Sequence, residues 1–310
     1  ENKDANYEAL KEEQARQFGN LETKMEQLFN TQYGRLTDTA NALGQHVTRS
    51  FKQQQEKLET IWGIQNYFEK GELPLPFGDA AISRDLSSRL LKTVEENNFD
   101  LIIEFGSGTS TILFAKALAN KYGSQLDTGN QNRIETSAES PAAEQITSNY
   151  RELPRPILSF EQDPTHIQET GFLLQQYGLD SQVDIVHAPL VPAQYHSVES
   201  GNGEMLFYDC ALYLRSIAQH FHGRRARILI LVDGPASPQN EPLARAPALE
   251  ALLNHLSAHQ LHCVLDDAER DGERQTLEVW TELCRKRGLI AEQTSWPTEN
   301  GASYVIVNPD

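Results

Sequence analysis

Apolar positions recur every third or fourth residue through the first seventy residues, whereas beyond residue 100 they gather into short continuous runs between polar stretches. The first pattern predicts one long helix, because no proline interrupts residues 1–73 and the only glycines before Gly71 are Gly19, Gly34, Gly44 and Gly63. Its stripe runs Tyr7, Leu10, Gln14; Phe18, Leu21, Met25; Phe29, Gln32, Leu36; Ala40, Leu43, Val47; Phe51, Gln54, Leu58 and then Trp62. Steps of three, four and four make an eleven-residue repeat. Three turns per repeat is about 3.67 residues per turn, which predicts a straight or slightly right-handed coiled coil. A lone helix would leave these aromatic side chains in water, so residues 1–70 are expected to self-associate through this seam. At about 1.5 Å per residue the helix reaches on the order of 90 Å.

The later runs read as strands. Leu101–Ile103, Ile157–Phe160, Val183–Leu190, Ile228–Val232, His262–Leu265 and Ala302–Val307 alternate with helical stretches, which predicts a doubly wound α/β sheet with ligands at the carboxyl ends of its strands. Four of those ends carry a carboxylate: Glu104, Glu161, Asp233, and Asp266 with Asp267. Acidic groups gathered at one sheet edge are costly unless they bind something.

The stretch Asp100-Leu-Ile-Ile-Glu-Phe-Gly-Ser-Gly-Thr-Ser-Thr-Ile-Leu-Phe carries the strongest chemical signal. A strand ends on Glu104, Gly106 and Gly108 allow a sharp turn close to a ligand, and Thr109, Ser110 and Thr111 bring hydroxyls to a helix start. Thr111 stands where the dinucleotide fingerprint needs a third glycine, so a ligand without a pyrophosphate fits better. Glu161 closes the next strand and suits the two hydroxyls of a ribose, while Asp163 before Pro164 is an N-cap.

The order of these motifs over residues 74–310 resembles the class I S-adenosylmethionine-dependent methyltransferases. Glu104 to Ser110 is similar to their first motif, Phe160-Glu161-Gln162-Asp163 to their ribose-binding strand end, and His187-Ala188-Pro189-Leu190 to the third strand end beside adenine. The resemblance implies a Rossmann-like seven-stranded sheet of order 3-2-1-4-5-7-6 over residues 71–310, with a flexible insertion at 123–156. It places S-adenosylmethionine on Glu104, Gly106, Ser107, Gly108, Ser110, Glu161, Gln162, Ala188 and Asp233. Ser83, in the lead-in Leu73–Ser83, is a further candidate for the cofactor, although a helix cap explains it more simply.

Within that superfamily the spacing of Asp233, Asp266 and Asp267 resembles the catechol and caffeoyl-coenzyme A O-methyltransferases. That likeness implies a divalent cation such as Mg²⁺ on the three carboxylates, hard oxygen ligands that suit it better than zinc. The lysine of those enzymes three residues beyond the first aspartate is Ala236 here. The proton acceptor therefore comes from elsewhere, with Asp233, His187, His196 and Tyr208 as candidates. Arg245 and Arg270 follow these strand ends and are expected to pair with nearby carboxylates, the alternative being bidentate hydrogen bonds to an acidic cofactor or acceptor.

Composition narrows the partners. The formal charge is −17 and residues 1–70 are nearly balanced, so most of it lies on the α/β part, which argues against nucleic acid. No apolar run is long enough to span a membrane, no signal sequence opens the chain, and Glu1 in place of a methionine points to a fragment or processed product. Cys210, Cys263 and Cys284 have no metal spacing and read as reduced thiols in the cytoplasm. The expectation is an O-methyltransferase acting on a small-molecule or glycan hydroxyl, on the membrane-side assembly of a surface polysaccharide. The alternative is an oligomeric scaffold that keeps the cofactor fold without turnover.

Overall fold

The computed structural model describes residues 2–67, 82–122, 155–193, 205–236 and 243–308. The expected insertion at 123–156 lies outside them apart from Arg155 and Pro156, as do His196 and all of the lead-in except Ile82 and Ser83. The chain divides into two compact units, Glu1–Glu59 and Thr60–Asp310.

The first unit is helical. Helix α1 spans Asn2–Tyr67, as the unbroken pattern predicts, and ends inside the second unit. Its stripe residues Phe18, Met25, Phe29, Leu36 and Phe51 are all more than 60% exposed. Ile64, beyond the division, is instead buried in a core cluster of the second unit. Ile64→Ala should therefore lower the stability of the second unit by about 2–5 kcal/mol, the range for emptying a packed aliphatic site, read by urea unfolding.

The second unit is built on β1 (Leu101–Phe105), β2 (Ile157–Glu161), β3 (Val183–His187), β6 (Arg227–Val232), β7 (Gln260–Asp266), β8 (Ala291–Trp296) and β9 (Ala302–Val307). They form one sheet in the order β3-β2-β1-β6-β7-β9-β8, parallel except where β9 runs antiparallel to β7 and β8. Every residue of β1, β2 and β7 is buried, which is why these segments read as continuous runs and not as alternations. Side chains alternate between two cores: Phe105, Phe160 and Ile230 go to one face, and Ile102, Ile157 and Leu229 to the other. Among the described residues β8 pairs only with β9, and its exposed Glu292, Gln293 and Thr294 keep that sheet edge polar.

Helices α2 (Arg84–Glu96), α3 (Thr109–Tyr122), α4 (Pro164–Gln176), α5 (Ala211–His220), α6 (Pro247–Leu256) and α7 (Asp271–Lys286) alternate with the strands. The sequence starts two of them. Ser83 caps α2, its hydroxyl accepting from the Leu86 amide at 3.4 Å, and Asp163 caps α4, accepting from the Thr165 amide at 2.8 Å ahead of Pro164. One element differs from expectation. The run Val183–Leu190 is not a single strand: β3 stops at His187, and Leu190–Ala193 (β4) pairs antiparallel with Met205–Tyr208 (β5) in a separate two-stranded sheet. Pro189 has no N–H to continue the ladder, while the Ala188 amide is taken by the Glu161 carbonyl at 2.8 Å.

Candidate active site

The carboxyl ends of β1, β2 and β6 meet at the glycine turn. Gly106 has φ 101°, a left-handed conformation that a side chain would strain, and a Cβ there would lie 3.3 Å from the Gly234 nitrogen. The turn is thus held against the end of β6, where the Gly234 amide donates to the Phe105 carbonyl at 2.7 Å. Glu104 lies beneath it, fully buried, and neither of its carboxylate oxygens has a hydrogen-bond partner. Burial pushes its pKa up to about 7, against the nearby hydroxyls of Ser110, Thr111 and Ser159. A buried carboxyl with two unused acceptors is a place for a cationic or hydrogen-bonding ligand group.

Glu161 is arranged differently. Its Oε2 accepts from the Ser107 amide at 2.8 Å and from the Ser107 hydroxyl at 3.2 Å, and its Oε1 accepts from the Asp163 amide at 2.9 Å. One carboxylate thus ties the glycine turn to the end of β2, and it keeps lone pairs for a diol. Thr111 accepts from the Gly108 amide at 3.0 Å, so the residue in place of the third glycine braces the turn from inside α3.

The remaining candidates divide. Ala188 is fully buried beside Glu161, and Gln162 has a buried Oε1 without a partner. His187 is exposed, opposite Glu161 in the register of β2 and β3. The Ser83 hydroxyl serves the α2 cap and donates to Asp85 at 2.6 Å. Tyr208 was visible in the sequence only as a possible base, yet it is 3% exposed and its hydroxyl has no partner. A Cβ on Gly234 would collide with that hydroxyl, so glycine is needed where β6 ends. Burial and the charges of Glu161 and Asp233 push the Tyr208 pKa upward, which leaves a hydrogen-bond donor and not a base at neutral pH.

Asp233, Asp266 and Asp267 do converge, with one carboxylate oxygen from each within 4.8 Å of the others. Asp267 has φ 58°, and its amide donates to the Asp266 carboxylate at 2.8 Å, which turns the chain back toward Asp233. Burial, then the charges of Asp233 and Asp267, push the Asp266 pKa up to about 7. Burial also raises that of Asp233, against Arg245. Arg245 itself is buried and donates to Asp267 Oδ2 at 3.4 Å and Asp233 Oδ1 at 3.5 Å, while Arg270 pairs with Asp267 at 2.8 Å.

With the small β4–β5 sheet set aside, the strands of the main sheet count 3-2-1-4-5-7-6 in chain order, and only the last is antiparallel to its neighbours. The fold is that of the class I methyltransferases. No family model matches the sequence, and no curated relative does. Among solved structures, the chain is similar to an S-adenosylhomocysteine-bound methyltransferase of Podospora anserina (13% identity, TM-score 0.43, covering 80% of this chain and 86% of that one). It is likewise similar to the O-methyltransferase TomG of Streptomyces achromogenes in complex with S-adenosylmethionine (15%, 0.42, 81% and 90%). An O-methyltransferase of Bacillus cereus in complex with S-adenosylhomocysteine gives 14%, 0.40, 82% and 89%. TM-scores below 0.5 leave the functional reading to the site geometry. In this methyltransferase fold Glu104, Glu161 and Asp233 sit at the ends of three adjacent strands, β2-β1-β6.

Proposed function

We propose that the chain is an S-adenosylmethionine-dependent methyltransferase that methylates a hydroxyl of a small-molecule or sugar acceptor. The observation that carries this reading is the pair of unpartnered, fully buried oxygens of Glu104 beneath the glycine turn, one strand away from the diol-ready Glu161. The residues fit the cofactor. Glu104 offers two acceptors to its ammonium group, Gly106 leaves room beside the backbone, Glu161 takes the ribose hydroxyls, and Gln162 and Ala188 flank adenine.

When bound, the cofactor supplies an electrophilic methyl group on a sulfonium. The chain must hold the acceptor hydroxyl in line with that methyl and remove its proton. Of Asp233, His187 and Tyr208, Asp233 is best suited to this, because its carboxylate keeps 27% exposure at the sheet edge next to the glycine turn. Tyr208 supplies a donor between Glu161 and Asp233. The experiment is an S-adenosylhomocysteine release assay over hydroxylated acceptors. Turnover supports the reading, and cofactor binding without turnover on any acceptor favours the scaffold alternative, which the replacement of the expected lysine by Ala236 keeps in view.

Residues 1–70 form the oligomerisation element in this reading, supported by the exposed eleven-residue stripe of α1. A chain starting at Thr60 should behave as a folded monomer in light scattering while the full chain is oligomeric; an unchanged oligomer would remove the role. The three free, buried cysteines suit the cytoplasm, and a long helical spacer ahead of the enzyme suits work beside a membrane-bound assembly of surface polysaccharide. No helix among the described residues is long and apolar enough to cross a membrane.

A further inference from the structure

The acidic edge beside the proposed acceptor site already holds a cation. Arg245, just ahead of α6, is 4% exposed, and its guanidinium lies 3.5 Å from Asp233 Oδ1, 3.4 Å from Asp267 Oδ2 and 3.7 Å from Glu273 Oε1. It also donates to the backbone carbonyls of Asp266 at 3.1 Å and Pro235 at 3.5 Å. The side chain therefore reaches the ends of both β6 and β7 and the first turn of α7. Its backbone is fixed as well: the Arg245 carbonyl accepts from the Ala248 amide at 3.2 Å, and the next carbonyl, of Ala246, accepts from the Trp280 indole at 3.0 Å.

We infer that the Arg245 guanidinium is the buried resident cation of this edge, with the exposed Arg270 pairing from outside with Asp267 at 2.8 Å, that it is held among the carboxylates where the resemblance to metal-dependent O-methyltransferases places a divalent ion, and that the chain therefore takes up no divalent cation there. The donor set fits a metal only if Arg245 leaves. Mg²⁺ needs oxygens at about 2.0–2.1 Å in a near-octahedral shell, and two of the three expected ligands are engaged by a planar guanidinium. Arginine cannot lose its proton to relieve the repulsion, as a lysine could. A divalent ion drawn into the cluster would face a permanent like charge in a buried setting. Arg245 is a positioning residue on this account: it fixes Asp233 toward the acceptor and balances the surrounding carboxylates.

The inference relies on the proposed methyltransferase site only for where the acceptor lies, and its test needs no turnover. Mn²⁺ binding to the full chain is measured by electron paramagnetic resonance for wild type, Arg245→Ala, Arg245→Lys, and Arg245→Ala combined with Asp266→Asn. Wild type should show no saturable Mn²⁺ site up to about 1 mM and Arg245→Lys one no tighter than that of Arg245→Ala, whereas Arg245→Ala should gain one at least roughly tenfold tighter than that limit, lost again with Asp266→Asn. A wild-type Mn²⁺ site removed by Asp266→Asn would overturn the inference, as would a folded Arg245→Ala chain that gains none. Arg245→Met, of similar volume, replaces Arg245→Ala if that variant does not fold, and the same two outcomes apply to it. Titrating the same samples with S-adenosylhomocysteine keeps the two proposals apart, since a chain that fails to bind it leaves the Mn²⁺ result standing.

Discussion

Glu104→Gln should bind S-adenosylhomocysteine roughly 10- to 100-fold more weakly than wild type at pH 8, the scale of a charge-assisted hydrogen bond lost in a buried site, and yet be the more stable protein. The two effects come from one carboxyl. With its pKa raised from 4.5 to about 7 by burial, Glu104 prefers to stay protonated in the folded chain. The folded state then holds a proton that the unfolded chain releases, so stability is fully present below the lower value and falls as pH rises through the upper one. The loss reaches on the order of 3 kcal/mol above pH 7, and Gln, which does not ionise, should escape it. Asp266, also raised to about 7, adds a contribution of the same sign that Glu104→Gln leaves in place.

A bound ammonium group favours the ionised form of Glu104, so binding should release a proton below neutral pH. Wild-type affinity should accordingly rise between about pH 5.5 and about pH 7.5, by no more than tenfold per unit, and flatten beyond. In Glu104→Gln this rise should disappear. Calorimetry in buffers of different ionisation enthalpy reads the proton directly, and a pH-independent wild type would remove the ammonium partner from Glu104.

Glu161→Ala carries the second large effect. It removes the acceptor of the Ser107 amide, the Ser107 hydroxyl and the Asp163 amide together with the proposed ribose ligand, so cofactor affinity should fall by about 1.5–3 kcal/mol, roughly 10- to 150-fold. The glycine turn loses its tie to β2 at the same time. Glu161→Gln keeps one carbonyl acceptor and separates the contributions: it should restore much of the folding stability by holding the turn, but little of the affinity, because a diol gains most from a charged acceptor. Denaturant melts beside binding isotherms would read both, and unchanged affinity in Glu161→Ala would take the ribose role from this residue.

The strands were legible because a parallel sheet covered on both faces buries its central strands, so that Leu101–Phe105, and Arg227–Val232 beyond the half-buried Arg227, have no polar alternation to confuse them. Strand order came through the resemblance and not through the runs, since nothing in an isolated strand names its neighbour. The caps at Ser83 and Asp163 were local chemistry and appeared where short-range rules put them. The break at Pro189 was written in the sequence as a missing N–H, although the pairing of β4 with β5 depends on residues well beyond it. Tyr208 and Arg245 were harder. Both were candidates in the sequence, Tyr208 as a base and Arg245 as a partner of nearby carboxylates, but only the packed sheet shows the phenol buried over Gly234 and the guanidinium buried among Asp233, Asp267 and Glu273. Ile64 illustrates the same limit in α1, since it lies off the repeat and only the packed second unit shows it as core.

The ends of β1, β2 and β6 together make the proposed site for S-adenosylmethionine. Calorimetric titration of the full chain with S-adenosylhomocysteine tests it most directly, with Glu161→Ala as the paired control. Saturable binding at one site per chain, weakened in the variant, is the expected result. Heats no greater than dilution for a folded wild-type chain would contradict it.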